Sequence, residues 1–190
     1  MKTTEVMNVF KKTRAFLSGH FRLTSGLHSG HYLQCALVLQ YPKDAERLGR
    51  AIADKFRRDN ISVVAGPAIG GIIIAHEVAR ALGVRCIFGE REEGKMKLRR
   101  GFHVKNNERV LLVEDVVTTG GSIKELAKII KYAGGKIVGV GSIIDRSGGK
   151  TDFGVKFETL MTLNIETFEE ESCPLCKEKI LVAKPGSRAF

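Results

Sequence analysis

The sequence predicts an α/β fold: a mostly parallel central sheet with helices on both faces. Three observations predict it. Near-continuous apolar runs recur at residues 61–65, 84–88, 110–113 and 137–144, the pattern of strands buried on both faces. Segments of helical periodicity, 72–82 and 122–133, alternate with these runs, as parallel strands joined by crossover helices require. Glycines punctuate each helix: Gly66, Gly70 and Gly71 precede the first and Gly83 closes it, while Gly120-Gly121 precede the second and Gly134-Gly135 end it.

The remaining elements follow from the same signals. A first helix is expected after Thr3 or Thr4 and to about residue 16, with Val6, Val9, Phe10 and Leu17 on its apolar face. Residues 18–31 read as two short extended pieces with glycine turns, and 32–39 as a strand. Pro42 opens a helix that places Ala45, Leu48, Ile52 and Phe56 on one face. The region from Thr151 holds one strand candidate, 159–165, and a polar tail. No internal repeat or low-complexity tract is present. The 190 residues make one domain, with a small hood expected from about 18–40 and the C-terminal tail.

Apolar residues form 43% of the chain, enough for a core, and Lys plus Arg exceed Asp plus Glu by 31 to 21, giving a net charge of +10. Such a surplus attracts nucleotides, phosphorylated metabolites or nucleic acid, without separating them. No apolar run reaches the roughly 18 residues of a membrane span, and the first residues lack a signal-peptide pattern. The cysteines are Cys35, Cys86, Cys173 and Cys176, a usage that fits a reducing cytoplasm better than a secreted disulfide framework.

The densest chemistry lies at 110–122. An apolar strand leads to Glu114 and Asp115, then to Val116, Val117, Thr118, Thr119, Gly120, Gly121 and Ser122 at a helix start. Open parallel sheets bind ligands at the carboxyl ends of their strands. The acids suit ribose hydroxyls. A glycine turn feeding a helix N-terminus, with free N–H groups and partial positive charge, suits a phosphate. Ser122 and Glu125 fit a capping box for that helix. The Walker and Gly-x-Gly-x-x-Gly patterns are absent. The turn at 66–71 also joins a strand to a helix, and reads equally as an anion cradle or as a tight turn needing glycine.

The stretch 110–122 resembles the phosphoribosyl pyrophosphate (PRPP) signature of type I phosphoribosyltransferases. The segment from His20 to Tyr32 resembles the orotate-side segment of orotate phosphoribosyltransferases. Cys173-Pro-Leu-Cys176 followed by Lys184-Pro-Gly-Ser-Arg188 resembles the tail of one bacterial and archaeal branch of that family. The resemblance spans nearly the whole chain. It implies the type I phosphoribosyltransferase fold, homodimers with shared active sites, and transfer of phosphoribosyl from PRPP to orotate in pyrimidine biosynthesis. It also implies Mg²⁺ held mainly by PRPP, with no side-chain ligand assigned. Residues 114–122 would bind PRPP, and Thr118 and Arg146 would bind orotate, Arg146 clamping its carboxylate.

Residues 90–100 hold eight charged side chains in eleven. They read either as a solvated hairpin or as a mobile lid, taken as 89–103, that carries cations over a polyanion. The resemblance assigns Arg91, Lys95 and Lys97 to pyrophosphate, with Lys95 as the catalytic lysine beside Asp115. The chain departs from the enteric pattern at Glu92, where lysine is common, at Lys97, where histidine is common, and at Thr24, which replaces a lysine. Cys173-Pro-Leu-Cys176 is half of a four-cysteine zinc site; alone it reads as a reduced dithiol, and His20, His28 and His31 read as loop hydrogen-bonders. A PRPP-sensing nucleic-acid-binding regulator and a purine-base phosphoribosyltransferase are the alternative functions.

Overall fold

The computed structural model describes residues 1–23 and 25–184; Thr24 and the part of the tail motif from Pro185 to Arg188 lie outside the described residues. The elements are α1 (Thr3–Lys12), β1 (Phe16–Arg22), β2 (His28–Leu33), α2 (Ala36–Leu39), α3 (Pro42–Phe56), β3 (Val63–Pro67), α4 (Gly70–Leu82), β4 (Arg85–Glu92), β5 (Lys95–Leu98), β6 (Arg109–Val117), α5 (Gly121–Tyr132), β7 (Lys136–Asp145) and β8 (Phe157–Thr162). A 3₁₀ turn (Glu170–Ser172) and α6 (Pro174–Lys177) follow.

Six strands form one sheet in the order β5-β4-β3-β6-β7-β8. All neighbours run parallel except β5, which is antiparallel to β4. Side-chain alternation along each strand divides the core into two layers. Val64, Leu111 and Val113 meet α1, α3 and α4 through Phe10, Leu48, Ile52, Phe56, Ile74 and Val78. Val63, Ala65, Val110 and Leu112 meet α5 through Ile123, Leu126 and Ile130. The predicted α/β sandwich is therefore the observed one. β1 and β2 form a separate antiparallel hairpin. The C-terminal segment closes on it: His28 and Phe168 exchange backbone hydrogen bonds of 2.8 and 2.9 Å, and Ala183 N–H donates to His20 O at 2.8 Å.

Several boundaries differ from expectation, each for a local reason. The first helix ends at Lys12, not near 16, because Thr13 Oγ1 bonds back to Val9 O at 2.8 Å and Arg14 turns left-handed at φ 54°. The strand expected over 32–39 stops at Leu33. Beyond it, buried Cys35, Val38 and Leu39 fall at i, i+3 and i+4, a helical period, and 36–39 is α2. β6 runs past Val113 to Val117 because β7 pairs with it through Asp145, so Glu114 and Asp115 lie within the strand rather than beyond it. The strand expected at 159–165 begins earlier, pairing Phe157 with Val140. The Ser122–Glu125 capping box does not form. Gly120, left-handed at φ 72°, is the N-cap of α5, which leaves Ser122 inside the helix and Glu125 free to meet Arg91.

Helices α3 and α4 pack closely at Gly49. A Cβ there would lie 2.5 Å from Glu77 Cβ and 2.8 Å from its backbone carbon. In an open helix Gly→Ala gains up to ~1 kcal/mol. Here the clash reverses the sign, and Gly49→Ala is expected to cost about 1–3 kcal/mol by overpacking. A lowered urea midpoint at unchanged slope is the expected reading; a raised midpoint would contradict this packing.

Candidate functional site

A cavity of about 520 Å³ opens at the carboxyl ends of β6 and β7. Asp115, Val116, Thr118 and Thr119 line one side, Arg146 another, and Tyr32 with Leu23, Ser25 and Leu27 of the β1–β2 hairpin face them. Five of the sequence-predicted residues, Asp115, Val116, Thr118, Thr119 and Arg146, thus meet in one space with the hairpin beside them. Glu114 is half-buried one residue earlier on β6 and lies outside the lining. Val117 is buried at 1% exposure and serves the site through its backbone, its carbonyl accepting from Arg146 N–H at 2.8 Å.

Gly120, Gly121 and Ser122 follow the lining threonines as the entry to α5. A Cβ on Gly120 would meet Phe153 and Thr151 at 2.8 Å, so both its left-handed backbone and its neighbours demand glycine. The 66–71 turn abuts the same place: a Cβ on Gly70 would lie 2.7 Å from Asp115 Oδ2. The β3–α4 turn therefore presents backbone against the Asp115 carboxylate, and the threonines that begin the β6–α5 turn line the same cavity.

Arg146 follows the last residue of β7. The adjacent acid does not neutralise it. Asp145 is buried and accepts from Ser147 N–H at 2.7 Å and Gly149 N–H at 2.9 Å, which shapes the turn and leaves the guanidinium free. Among the described residues, no carboxylate pairs with Arg146, and its Nε is a buried donor without a partner. Burial lowers its pKa from the usual arginine value. An orphaned buried donor costs about 1–3 kcal/mol, a cost that an anionic ligand in the cavity would remove.

The carboxylates face the same cost. Burial, and then the Asp115 charge, push Glu114 well above the usual carboxylate range. Burial also raises Asp115, opposed by the Val116 N–H that donates to Oδ1 at 2.9 Å. Hydroxyl donors or a cation at this spot would favour the ionised forms.

The charged segment folds as an antiparallel hairpin of β4 and β5. Arg91 bonds Gly94 O at 2.8 Å and Glu125 at 2.9 Å, and Lys97 pairs with Glu92 at 2.6 Å. Lys95 is exposed beside the hairpin turn, with no side-chain partner among the described residues. None of the three lines the cavity. Cavity residues that sequence reasoning did not assign to the site are Leu33, Gln34, Cys35, Ile165 and Thr167; they come from segments without motif character, and only the docking of the C-terminal segment brings the last two there.

Two of the histidines read as loop hydrogen-bonders do hydrogen-bond, His20 to Ile180 O and to His28, but from strands β1 and β2 rather than from loops. His20 and His28 are buried at 3% and 2% exposure and converge on Cys173 and Cys176, far away in sequence. His31 keeps the expected kind of role, contacting Ser18 Oγ at 3.3 Å.

Comparison with known proteins agrees with this geometry. The phosphoribosyl transferase domain family matches residues 38–162. An orotate phosphoribosyltransferase of Caldanaerobacter subterraneus subsp. tengcongensis is 56% identical over 188 residues, 99% of each chain. Another, from a Thermoanaerobacter species, is 55% identical over 100% of both chains. Among solved structures, orotate phosphoribosyltransferase from Aeropyrum pernix superposes with a TM-score of 0.71 at 26% identity, covering 83% of this chain and 93% of that one.

The raised carboxylates generate a prediction of definite sign. A carboxyl whose folded pKa lies above its unfolded value contributes stability below the unfolded pKa and loses it as pH rises through the folded one. The buried dyad therefore costs the ligand-free protein stability as pH rises above the unfolded carboxyl values. Glu114→Gln is expected to raise the thermal midpoint at pH 7 by roughly 2–4 °C, the shift that ~1 kcal/mol gives in a domain of this size. The gain should vanish near pH 4, where Glu114 is protonated. A variant less stable than the parent at pH 7 would show that Glu114 is stabilising as an anion.

Proposed function

This chain belongs to the phosphoribosyl transferase family, as an orotate phosphoribosyltransferase, and from that premise we infer that it transfers the phosphoribosyl group of PRPP to orotate. The products are orotidine 5′-monophosphate and pyrophosphate. The single observation that carries the base assignment is Arg146. Its Nε is a buried, unpartnered donor in the cavity that also holds Asp115 and the Thr118–Thr119 turn. Orotate bears a carboxylate that a guanidinium can clamp by two parallel hydrogen bonds; hypoxanthine and adenine bear none. The relatives and this arginine together favour orotate over the purine-base and nucleic-acid-binding alternatives.

In the proposed reaction the C1′–O bond to pyrophosphate breaks and a C1′–N1 bond to orotate forms, with the N1 proton passing through water to solvent or to the departing pyrophosphate. The α5 entry, from Thr118 to Ser122, receives the 5′-phosphate on backbone N–H groups. Asp115, with Glu114 behind it, accepts the ribose hydroxyls and places negative charge near C1′ as cationic character develops there. Holding both substrates in one cavity supplies rate through orientation. No covalent nucleophile is required.

Mg²⁺ is part of this reading. The half-buried Asp115 carboxylate, with its raised pKa, fits a hard cation that takes oxygen ligands, and PRPP would supply most of them. When bound, the ion neutralises the departing pyrophosphate. Arg91, Lys95 and Lys97 act on the same pyrophosphate from the β4–β5 hairpin. None of the three lines this chain's own cavity, which fits a homodimer in which each hairpin serves the partner's site. Among the described residues no helix is long and apolar enough to cross a membrane, and all four cysteines are free thiols, which fits work in the cytoplasm.

Orotate absorbance should fall when the protein is mixed with PRPP and Mg²⁺. Turnover of hypoxanthine or uracil with orotate untouched would overturn the base assignment. Arg146→Gln is expected to lower kcat/KM for orotate about 100-fold, the factor that ~3 kcal/mol represents for hydrogen bonds to a charged group, while KM for PRPP stays within a few-fold. Lys95→Ala is expected to reduce kcat by roughly 100-fold with PRPP binding nearly unchanged, because a cation delivered late acts on the transition state. Equal losses in binding and turnover would place Lys95 in ground-state binding instead.

A further inference from the structure

The β1–β2 hairpin and the C-terminal segment meet at a cluster that the transfer reaction does not use. His20 comes from β1, His28 from the first position of β2, Cys173 from the N-cap of α6 and Cys176 from its third residue. One ligand atom from each lies within 4.8 Å of all the others. Cys176 Sγ is 3.3 Å from His28 Nδ1 and 3.7 Å from His20 Nε2, and Cys173 Sγ is 3.6 Å from His20 Nε2. Zinc bonds of about 2.3 Å to sulfur and 2.0–2.1 Å to nitrogen place N and S ligands of a tetrahedron roughly 3.6 Å apart. The three sulfur–nitrogen distances already match. The two ring nitrogens, at 2.8 Å, would separate by about 0.5 Å around a tetrahedral ion.

The hydrogen bonds around the cluster point the same way. His20 Nδ1 lies 2.8 Å from Ile180 O. A carbonyl only accepts, so Nδ1 carries the proton and Nε2 turns its lone pair toward the sulfurs. This is the outer-shell arrangement that orients a metal-bound histidine. The donor set is two sulfurs and two imidazoles with no carboxylate, which excludes Mg²⁺ and Ca²⁺ and suits zinc. Both thiols are free. On binding, the two thiol protons leave to solvent and His28 takes its other tautomer. Two thiolates and two neutral imidazoles then cancel the charge of Zn²⁺, so that a neutral centre occupies the buried position.

We propose that His20, His28, Cys173 and Cys176 form a structural Zn²⁺ site that staples the C-terminal segment onto the β1–β2 hairpin. The consequence reaches the cavity without touching substrate. His20 and His28 flank the turn whose Leu23, Ser25 and Leu27 line one wall. Ile165 and Thr167, which line another part, sit just before the stapled segment. The backbone bonds of His28 to Phe168 and of Ala183 to His20 bracket the cluster, and the ion would lock the same two segments by their side chains. A closed four-ligand site leaves no open position for chemistry, so the role is structural.

The whole chain, purified under reducing conditions from zinc-supplemented cells, should contain about one zinc per chain, with X-ray absorption distances near 2.3 Å to sulfur and 2.0–2.1 Å to nitrogen. Cys173→Ser with Cys176→Ser should lose it, and Cys86→Ser should keep it. Should the double variant fail to fold, Co²⁺ titrated into chelator-stripped parent protein gives an independent reading: the visible bands of tetrahedral thiolate-bound cobalt are expected. Stripped protein should also be cleaved faster by a protease within residues 166–183, and zinc should restore protection. Protein that holds no zinc and develops no cobalt bands, or a double variant that binds zinc as the parent does, would overturn the site. Iron in place of zinc would overturn the metal assignment. Unchanged proteolysis on stripping would overturn the stapling role.

Discussion

Strand β6 sits between β3 and β7 near the middle of the sheet, and the rest of the molecule is arranged around the need to bury it on both faces. Val110, Leu111, Leu112 and Val113 are all fully buried. Such a strand can carry polar groups only where its covering layers end. Glu114 and Asp115 stand at that limit: far enough in to be desolvated, far enough out for Asp115 to reach a cavity. Their raised pKa values are the energetic trace of that placement. A purely structural strand end would have no reason to tolerate two adjacent acids there. A site that must hold sugar hydroxyls beside a developing cation has one.

Arg146 repeats the same logic one strand over. β7 pairs with β6 in register through Val117 and Asp145, so the residue after β7 emerges beside the residues after β6. Asp145 could have neutralised the guanidinium and instead spends both oxygens on the backbone of the following turn. The cavity thus holds a carboxylate on one side and an unsatisfied guanidinium on the other, and neither relieves the other. That separation gives the site polarity before ligand arrives, a buried carboxylate facing a buried guanidinium donor, and the proposed reaction uses both ends.

The sheet, its covering helices and the β6–α5 turn were legible in the sequence because they rest on local signals. Apolar runs, the helical spacing of Ala45, Leu48, Ile52 and Phe56, and glycine punctuation are all short-range. What escaped was long-range or finely balanced. The 32–39 segment is apolar enough for a strand, and only the spacing of Cys35, Val38 and Leu39 turns its last part helical. The capping box looked right at Ser122 and Glu125 but yielded to a left-handed Gly120 packed against Phe153 and Thr151. The histidine–cysteine cluster joins residues some 150 positions apart, and no periodicity in His20 or His28 points to Cys173. Half of the proposed zinc set is visible in the sequence; its other half is visible only after folding.

The hairpin cations pose an energetic question that the same structure answers. Arg91 pairs with Glu125, Lys97 and Arg99 with Glu92, and Arg100 with Glu90. Each pair is solvent-exposed, and exposed ion pairs are worth only about 0–1 kcal/mol. Exchanging Glu92 or Glu125 for a pyrophosphate oxygen therefore gives up little, while a multiply charged anion in a closed, less polar site offers more. The acids around the hairpin hold its excess cations in order without holding them tightly. Lys95, at the turn and outside every one of these pairs, has no partner to surrender. In the proposed reaction it is the cation that reaches the pyrophosphate first, and the ion-paired arginine and lysine follow it.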